Sequence, residues 1–241
     1  MVWGAAAAAV ADLVWPRQCG GCESTRSRWC ARCAAIVRDA LVAGPQRVQP
    51  DPCPPGFPPT WSSVSYDGPI AHALKAYKDG GRADLLGPLS QLLRTALAGA
   101  LDAPPLRGHL VRGGAVLIVP APSRPAAYRK RGRHPLLDLA RAAAPELPIV
   151  DALRFGRGVR DQAGLDAWSR ATNLRDAVGL RRSVAGAWVL LVDDVVTTGA
   201  TLVESRRALL AGGAVGVSAA TVAVTRRRAS SEPFTPRATL A

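Results

Sequence analysis

Two adjacent carboxylates, Asp193 and Asp194, close an apolar run from Val189 to Val192. After them come Val195 and Val196, then a turn of hydroxyls with one glycine: Thr197, Thr198, Gly199, Ala200 and Thr201. Leu202 to Leu210 then reads as a helix. Free N–H groups and the dipole at a helix N-terminus attract phosphate, and a glycine there lets the backbone approach closely. The threonine hydroxyls add donors. Paired carboxylates would repel a phosphate they touched. They suit a neighbouring diol, or Mg²⁺ held close by. A diol and a phosphate on one sugar describe a ribose 5-phosphate. The plainer alternative is a buried strand ending in a polar turn and a helix cap. The G-x-x-x-x-G-K-[ST] phosphate loop does not occur in the chain.

These residues need a particular frame. Four apolar residues in a row fit a strand buried on both faces of a parallel sheet. Ligands of open α/β sheets bind outside the carboxyl ends of strands, where the two acids stand. A second such strand is Ala115 to Pro120, followed by Ala121, Pro122, Ser123 and Arg124 and then the basic stretch Arg129, Lys130 and Arg131. Ser123, Arg124 and Arg131 are therefore candidates for the substrate site, with cations of this loop meeting a pyrophosphate. A solvated basic loop is the alternative. Strands alternating with helices predict a doubly wound α/β domain. Trp61 to Tyr66 is expected as an edge strand, and Gly68 to Lys78 as a helix with Lys75 and Lys78 off its apolar face. Further helices are expected over Ala83–Leu101 and up to about Ala144. Short strands are expected over Pro148–Leu153 and Gly216–Val224, around a polar stretch with helical pieces over 160–182.

A second constellation lies near the N-terminus. Cys19-x-x-Cys22 and Cys30-x-x-Cys33 are two pairs of thiols, each at the spacing of a metal knuckle. Four sulfurs with no open position make a structural Zn²⁺ site, with two disulfides or an iron–sulfur cluster as alternatives. Cys53 has no partner at ligand spacing and reads as a loop thiol.

The 241 residues suffice for one substantial domain with a small appendage. The formal net charge is +13, and the only lysines are Lys75, Lys78 and Lys130, so the basic side is nearly all arginine. Such a balance fits nucleic-acid or polyphosphate partners, or a general preference for arginine on solvated faces. The apolar stretch Val2–Trp15 is too short to span a bilayer and lacks a basic leader, so a short helix, no membrane span and a cytoplasmic protein are expected. The expected boundaries are an N-terminal helix and zinc module over 1–43, a Pro/Gly-rich linker over 44–60, the main domain over 61–225 and a disordered tail over 226–241.

The stretch Val189–Thr201 resembles the signature of the type I phosphoribosyltransferases, which bind 5-phosphoribosyl-1-pyrophosphate. More narrowly, the chain resembles the ComF/GntX family, the competence-protein-F-like members of that superfamily. The landmarks, in order, are Pro16 with the two cysteine pairs, Tyr66-Asp67-Gly68 with Leu74-Lys75 and Lys78, and Val119-Pro120-Ala121-Pro122. Arg131-Gly132, then Gln162, Leu165, Arg170 and Asn173, and finally the signature complete the set.

The resemblance implies a type I phosphoribosyltransferase fold: a central, mostly parallel sheet flanked by helices, with a small N-terminal four-cysteine zinc module. It implies that Asp193 and Asp194 grip the ribose hydroxyls as the catalytic acids. It implies that Thr197 to Thr201 hold the 5-phosphate and that Mg²⁺ accompanies the pyrophosphate. Three features depart from the family pattern: Arg133-His134-Pro135 after Arg131-Gly132, Ala127 where an arginine is usual, and the single Cys53. His134 is either an acid–base group or merely exposed. Thr197 stands where 6-oxopurine salvage enzymes commonly carry Asp, which argues against that substrate class. Two functions follow as expectations. One is phosphoribosyl transfer to a nitrogen acceptor. The other is a non-catalytic module of DNA uptake that binds single-stranded DNA or a DNA-uptake helicase.

Overall fold

A computed structural model describes residues 18–25, 27–123, 132–156 and 177–225. The expected N-terminal helix and C-terminal tail lie outside these residues, as do Arg124, Arg129, Lys130, Arg131 and the Gln162–Asn173 motif.

Among the described residues the hydrophobic pattern resolves into five strands in one sheet. They are β1 (Gln46–Val48), β2 (Thr60–Ser65), β3 (Val116–Pro120), β6 (Trp188–Val196) and β7 (Gly216–Val224). A separate two-stranded antiparallel ribbon holds β4 (Leu153–Phe155) and β5 (Val178–Leu180). The main sheet runs β1-β2-β7-β6-β3, parallel throughout except for β1, which pairs antiparallel with β2. Thus β6 lies between two parallel neighbours. Val192 sits opposite Pro120 on one side and Ala220 on the other. This is the environment that an unbroken apolar run predicts.

Two expectations change. The strand at Trp61 is not an edge, because β1, from the stretch read as a linker, covers it. The strand expected over Pro148–Leu153 shrinks to a single parallel bridge of Ile149 with Ile118, and the extended residues move to Leu153–Phe155. Both shifts concern segments of only a few residues, whose pairing local propensity does not specify.

Helices cover both faces. On one side lie α1 (Ala31–Ala43), α2 (Gly68–Lys78), α3 (Leu86–Asp102), α4 (Pro104–Val111) and α5 (Pro135–Ala143). Leu74, Tyr77, Leu89, Leu93 and Leu97 pack there against Leu190 and Val192 of β6. On the other side α6 (Ala200–Ala211) packs Leu202 and Leu209 against Val189 and Leu191. The period-two alternation of a strand explains the division as far as Val192: Trp188, Leu190 and Val192 face one layer, Val189 and Leu191 the other, and past the two acids the parity reverses, with Val195 on the first side and Val196 on the second. Pro104-Pro105 ends α3 as expected and opens α4, since proline is tolerated in a first helical turn but not in the interior.

Candidate functional site

The alternation that buries Leu190 and Val192 carries Asp194 toward the layer holding α2. At the sheet's carboxyl end a pocket of about 290 Å³ opens there, lined by Tyr66, Leu74, Lys75, Lys78, Asp79, Asp194, Val195 and Thr197. Its volume is at the lower end of the range for ligand clefts, about 300 Å³ and above. Asp194 is only 9% exposed. Its Oδ2 lies 2.5 Å from Lys78 Nζ, so its buried charge is compensated.

Asp193 sits directly behind. Its Oδ1 accepts the Asp194 amide N–H at 2.9 Å. Burial pushes the Asp193 carboxyl well above the usual carboxylate range, the neighbouring Asp194 carboxylate adds to the rise, and the Lys78 charge offsets part of it. The two acids thus interact directly but differ in role: Asp194 lines the pocket, while Asp193 folds back on the strand.

The turn beyond them divides similarly. Val195 and Thr197 line the pocket, and Thr197 is exposed. Val196 is buried in the core on the α6 side. Thr198 Oγ1 accepts the Ala200 amide at 3.5 Å. Gly199 caps α6 with φ +75°, and a Cβ there would come within 2.7 Å of the Phe57 ring. Both the backbone conformation and the close approach call for glycine. Ala200 and Thr201 form the first turn of α6, half-buried. Ser123 follows β3, half-buried and apart from the pocket lining.

In the sequence, Lys75 and Lys78 read as family landmarks off the apolar face of their helix but not as site residues; their being two of only three lysines in the chain is a further signal. The helix carrying them is held firmly. Tyr77 donates its hydroxyl to the Pro135 carbonyl at 2.9 Å, and the Arg133 guanidinium stacks 4.5 Å over its ring. Arg133 also donates to the Tyr77 carbonyl. Arg133 therefore has a structural role here, as does its neighbour: His134 Nδ1 accepts the Leu137 amide at 3.2 Å and caps α5. Burial, then the Arg181 charge, pushes the His134 imidazole below its ordinary value, which suits a neutral cap. The acid–base option for His134 has a structural competitor in this cap.

The four cysteines converge as their spacing predicts. All four Sγ atoms lie within 4.8 Å of one another. Cys19 and Cys33 are 3.6 Å apart, and Cys22 and Cys30 3.5 Å. A tetrahedron of sulfurs at the usual 2.3 Å metal bond has edges of about 3.8 Å. The Cys30 amide donates to Cys19 Sγ at 3.4 Å. For Cys19, burial raises the thiol, but amides of Cys22, Cys30 and Gly21 outweigh it and the net shift is downward. Cys33 is raised, by burial first and by its neighbouring thiols next. The donor set fits a closed, structural four-thiolate metal site. Cys53 is exposed.

Residues 134–235 match the family model for the phosphoribosyl transferase domain. The chain is 31% identical over 209 residues to a DNA utilization protein, YhgH, of Salmonella typhi, covering 79% of this chain and 88% of the relative. The chain belongs to the ComF-like family of type I phosphoribosyltransferase-domain proteins. The YhgH protein of Escherichia coli K12 is 40% identical over a shorter 67-residue stretch, 28% of this chain and 30% of the relative. Among solved structures, a hypoxanthine phosphoribosyltransferase of Staphylococcus aureus aligns over 61% of this chain and 68% of its own, at 18% identity and a TM-score of 0.32. In this ComF-like chain the family signature occupies the end of β6, and its second acid opens onto the pocket. No helix among the described residues is long and apolar enough to cross a membrane.

Proposed function

We propose that this ComF-like protein binds 5-phosphoribosyl-1-pyrophosphate with Mg²⁺ and transfers the phosphoribosyl group to a nitrogen acceptor. The observation that carries the reading is the pocket itself. A strand-end carboxylate, Asp194, and the hydroxyl turn from Thr197 share one opening with two ammonium groups. In this reading Asp194 accepts hydrogen bonds from the ribose diol, and Asp193 supports it through the strand backbone. The turn from Thr197 to Thr201 and the N-terminus of α6 hold the 5-phosphate. Bound Mg²⁺ would supply charge neutralisation on the pyrophosphate, within reach of Asp79 and Asp194. The C1–O bond to pyrophosphate breaks with its electron pair leaving on oxygen, C1 takes oxocarbenium character, and the acceptor nitrogen forms the new bond and releases its proton. The protein's contribution is electrostatic and positional. The four thiols hold a structural Zn²⁺, as the all-sulfur donor set favours.

Calorimetric titration with 5-phosphoribosyl-1-pyrophosphate, with and without Mg²⁺, tests the reading. Binding strengthened by Mg²⁺ and removed by Asp194→Asn is expected. Equal heats from parent and variant would overturn the assignment of Asp194.

The name of the relatives, DNA utilization protein, and the net charge of +13 favour a second reading. In it the same pocket serves a module that docks single-stranded DNA or a DNA-processing partner.

A further inference from the structure

The basic loop after β3 was the expected source of cations for a leaving pyrophosphate. That loop lies outside the described residues; among the described residues the pocket receives Lys75 and Lys78 from the last turn of α2. We propose that these two lysines are the polyphosphate-recognising cations of this pocket. Lys78 also serves as the counter-ion that holds Asp194 until a ligand takes its place. The identity of the whole ligand rests on the phosphoribosyl reading above; the recognition of linked phosphates does not.

Composition supplies the first argument. This chain uses arginine almost everywhere, yet two of its three lysines stand three residues apart at one pocket. Residues at i and i+3 share one side of a helix, so both ammoniums address the same space. An arginine fork locks onto one carboxylate in a planar pair. An ammonium is a compact charge with three rotatable donors that can change partners. A group that must neutralise Asp194 in the empty pocket and then turn to phosphate oxygens is better built as lysine.

The framework supplies the second argument. Ile70, Ala73, Leu74 and Tyr77 are all buried and set the roll of α2 about its axis. Tyr77 is further tied to Pro135 and Arg133. The lysines are therefore delivered from a rigid face, with Lys78 Nζ placed 2.5 Å from Asp194. The charge balance supplies the third. The carboxyl end of α2, Asp79 and Asp194 all repel an anion here. Among the described residues that line the pocket, the lysines are the groups that, with Mg²⁺, offset this repulsion. On entry the sugar diol takes over the hydrogen bonds of Asp194, and the Lys78 ammonium is released toward the phosphate oxygens. No covalent step is involved.

The experiment is calorimetry on the full chain with Mg²⁺ throughout, titrating inorganic pyrophosphate and, separately, ribose 5-phosphate. The proteins are the parent, Lys75→Met, Lys78→Met and Lys78→Arg. Each methionine variant should weaken pyrophosphate binding by about tenfold or more, as loss of a charge-assisted contact does. Ribose 5-phosphate should bind Lys75→Met within about twofold of the parent, since Lys75 is assigned neither to the sugar nor to Asp194. Lys78→Arg should recover only part of the pyrophosphate affinity. Pyrophosphate affinity unchanged in both methionine variants, equal losses for the two ligands in Lys75→Met, or no pyrophosphate binding by the parent would overturn the proposal. A parent that binds pyrophosphate through these lysines but ignores ribose 5-phosphate would sink the phosphoribosyl reading and leave the lysine assignment standing.

Discussion

Asp193 and Asp194 are one residue apart and have different physics. Asp194 has an ammonium at 2.5 Å and a pocket in front of it. Asp193 has burial and a neighbouring carboxylate, and both favour its protonated form. Its raised value has a sign that can be checked. Between the unfolded carboxylate value near about 3.9 and the higher folded value, the native state binds more protons than the unfolded one, so stability falls as pH rises. Asp193→Asn removes that penalty. The variant should melt above the parent at neutral pH, and the gap should close below about pH 4. A gap independent of pH would show that Asp193 is not held against ionisation. The adjacent carboxylates were plain in the sequence. Their division of labour was not, because it depends on Lys78, more than a hundred positions away.

The element that organises the pocket beside β6 is α2, and α2 is braced by the cysteine module. Arg82, just past α2, donates from Nη1 to the Gln18 carbonyl at 3.1 Å and from Nη2 to the Arg28 carbonyl at 3.0 Å, while Nε and the same Nη2 donate to Asp84. Leu85 is fully buried, and a Cβ on Gly20 of the first knuckle would fall 2.7 Å from it. Gly21 meets Pro69 of α2 in the same way, at 3.2 Å. The knuckles are thus packed onto the segment that delivers the lysines. If the four thiols hold a metal, a chelator should lower the unfolding temperature by about 4 °C or more. It should also speed amide exchange in Gly68–Lys78 before it affects β6 and β7, which hydrogen-exchange mass spectrometry would resolve. Uniform loss of protection would refute a local brace. The two C-x-x-C pairs were legible because ligand spacing is a local property. Their attachment to α2 was not, because it is made by backbone carbonyls and one buried leucine.

At the scale of the whole molecule, charge and topology point to different partners. The sheet presents a small polar pocket, while the chain carries a net charge of +13. If the basic excess meets nucleic acid, counterion release makes affinity fall steeply with salt. Single-stranded DNA binding, followed by fluorescence anisotropy, should weaken by about tenfold or more between about 50 and 200 mM salt. Affinity that stays level across that range would remove the DNA reading and leave the phosphoribosyl one. The strand expected to be an edge, β2, is interior because β1 joins it from a Pro/Gly-rich stretch. That stretch also seats Phe57 against Gly199, so a segment read as a linker helps to wall the signature turn.

The sequence by itself determined the parallel strand with its two acids, the glycine at the following turn, the four-thiol cluster and the family. Each is a local pattern of residue type and spacing, set by strand alternation, backbone conformation or ligand geometry. Only the tertiary structure decided which acid faces the pocket, which cations meet it and what holds their helix in place. Those depend on contacts between positions distant along the chain, and the side chains involved carry no mark of their partners until the sheet and its layers are assembled.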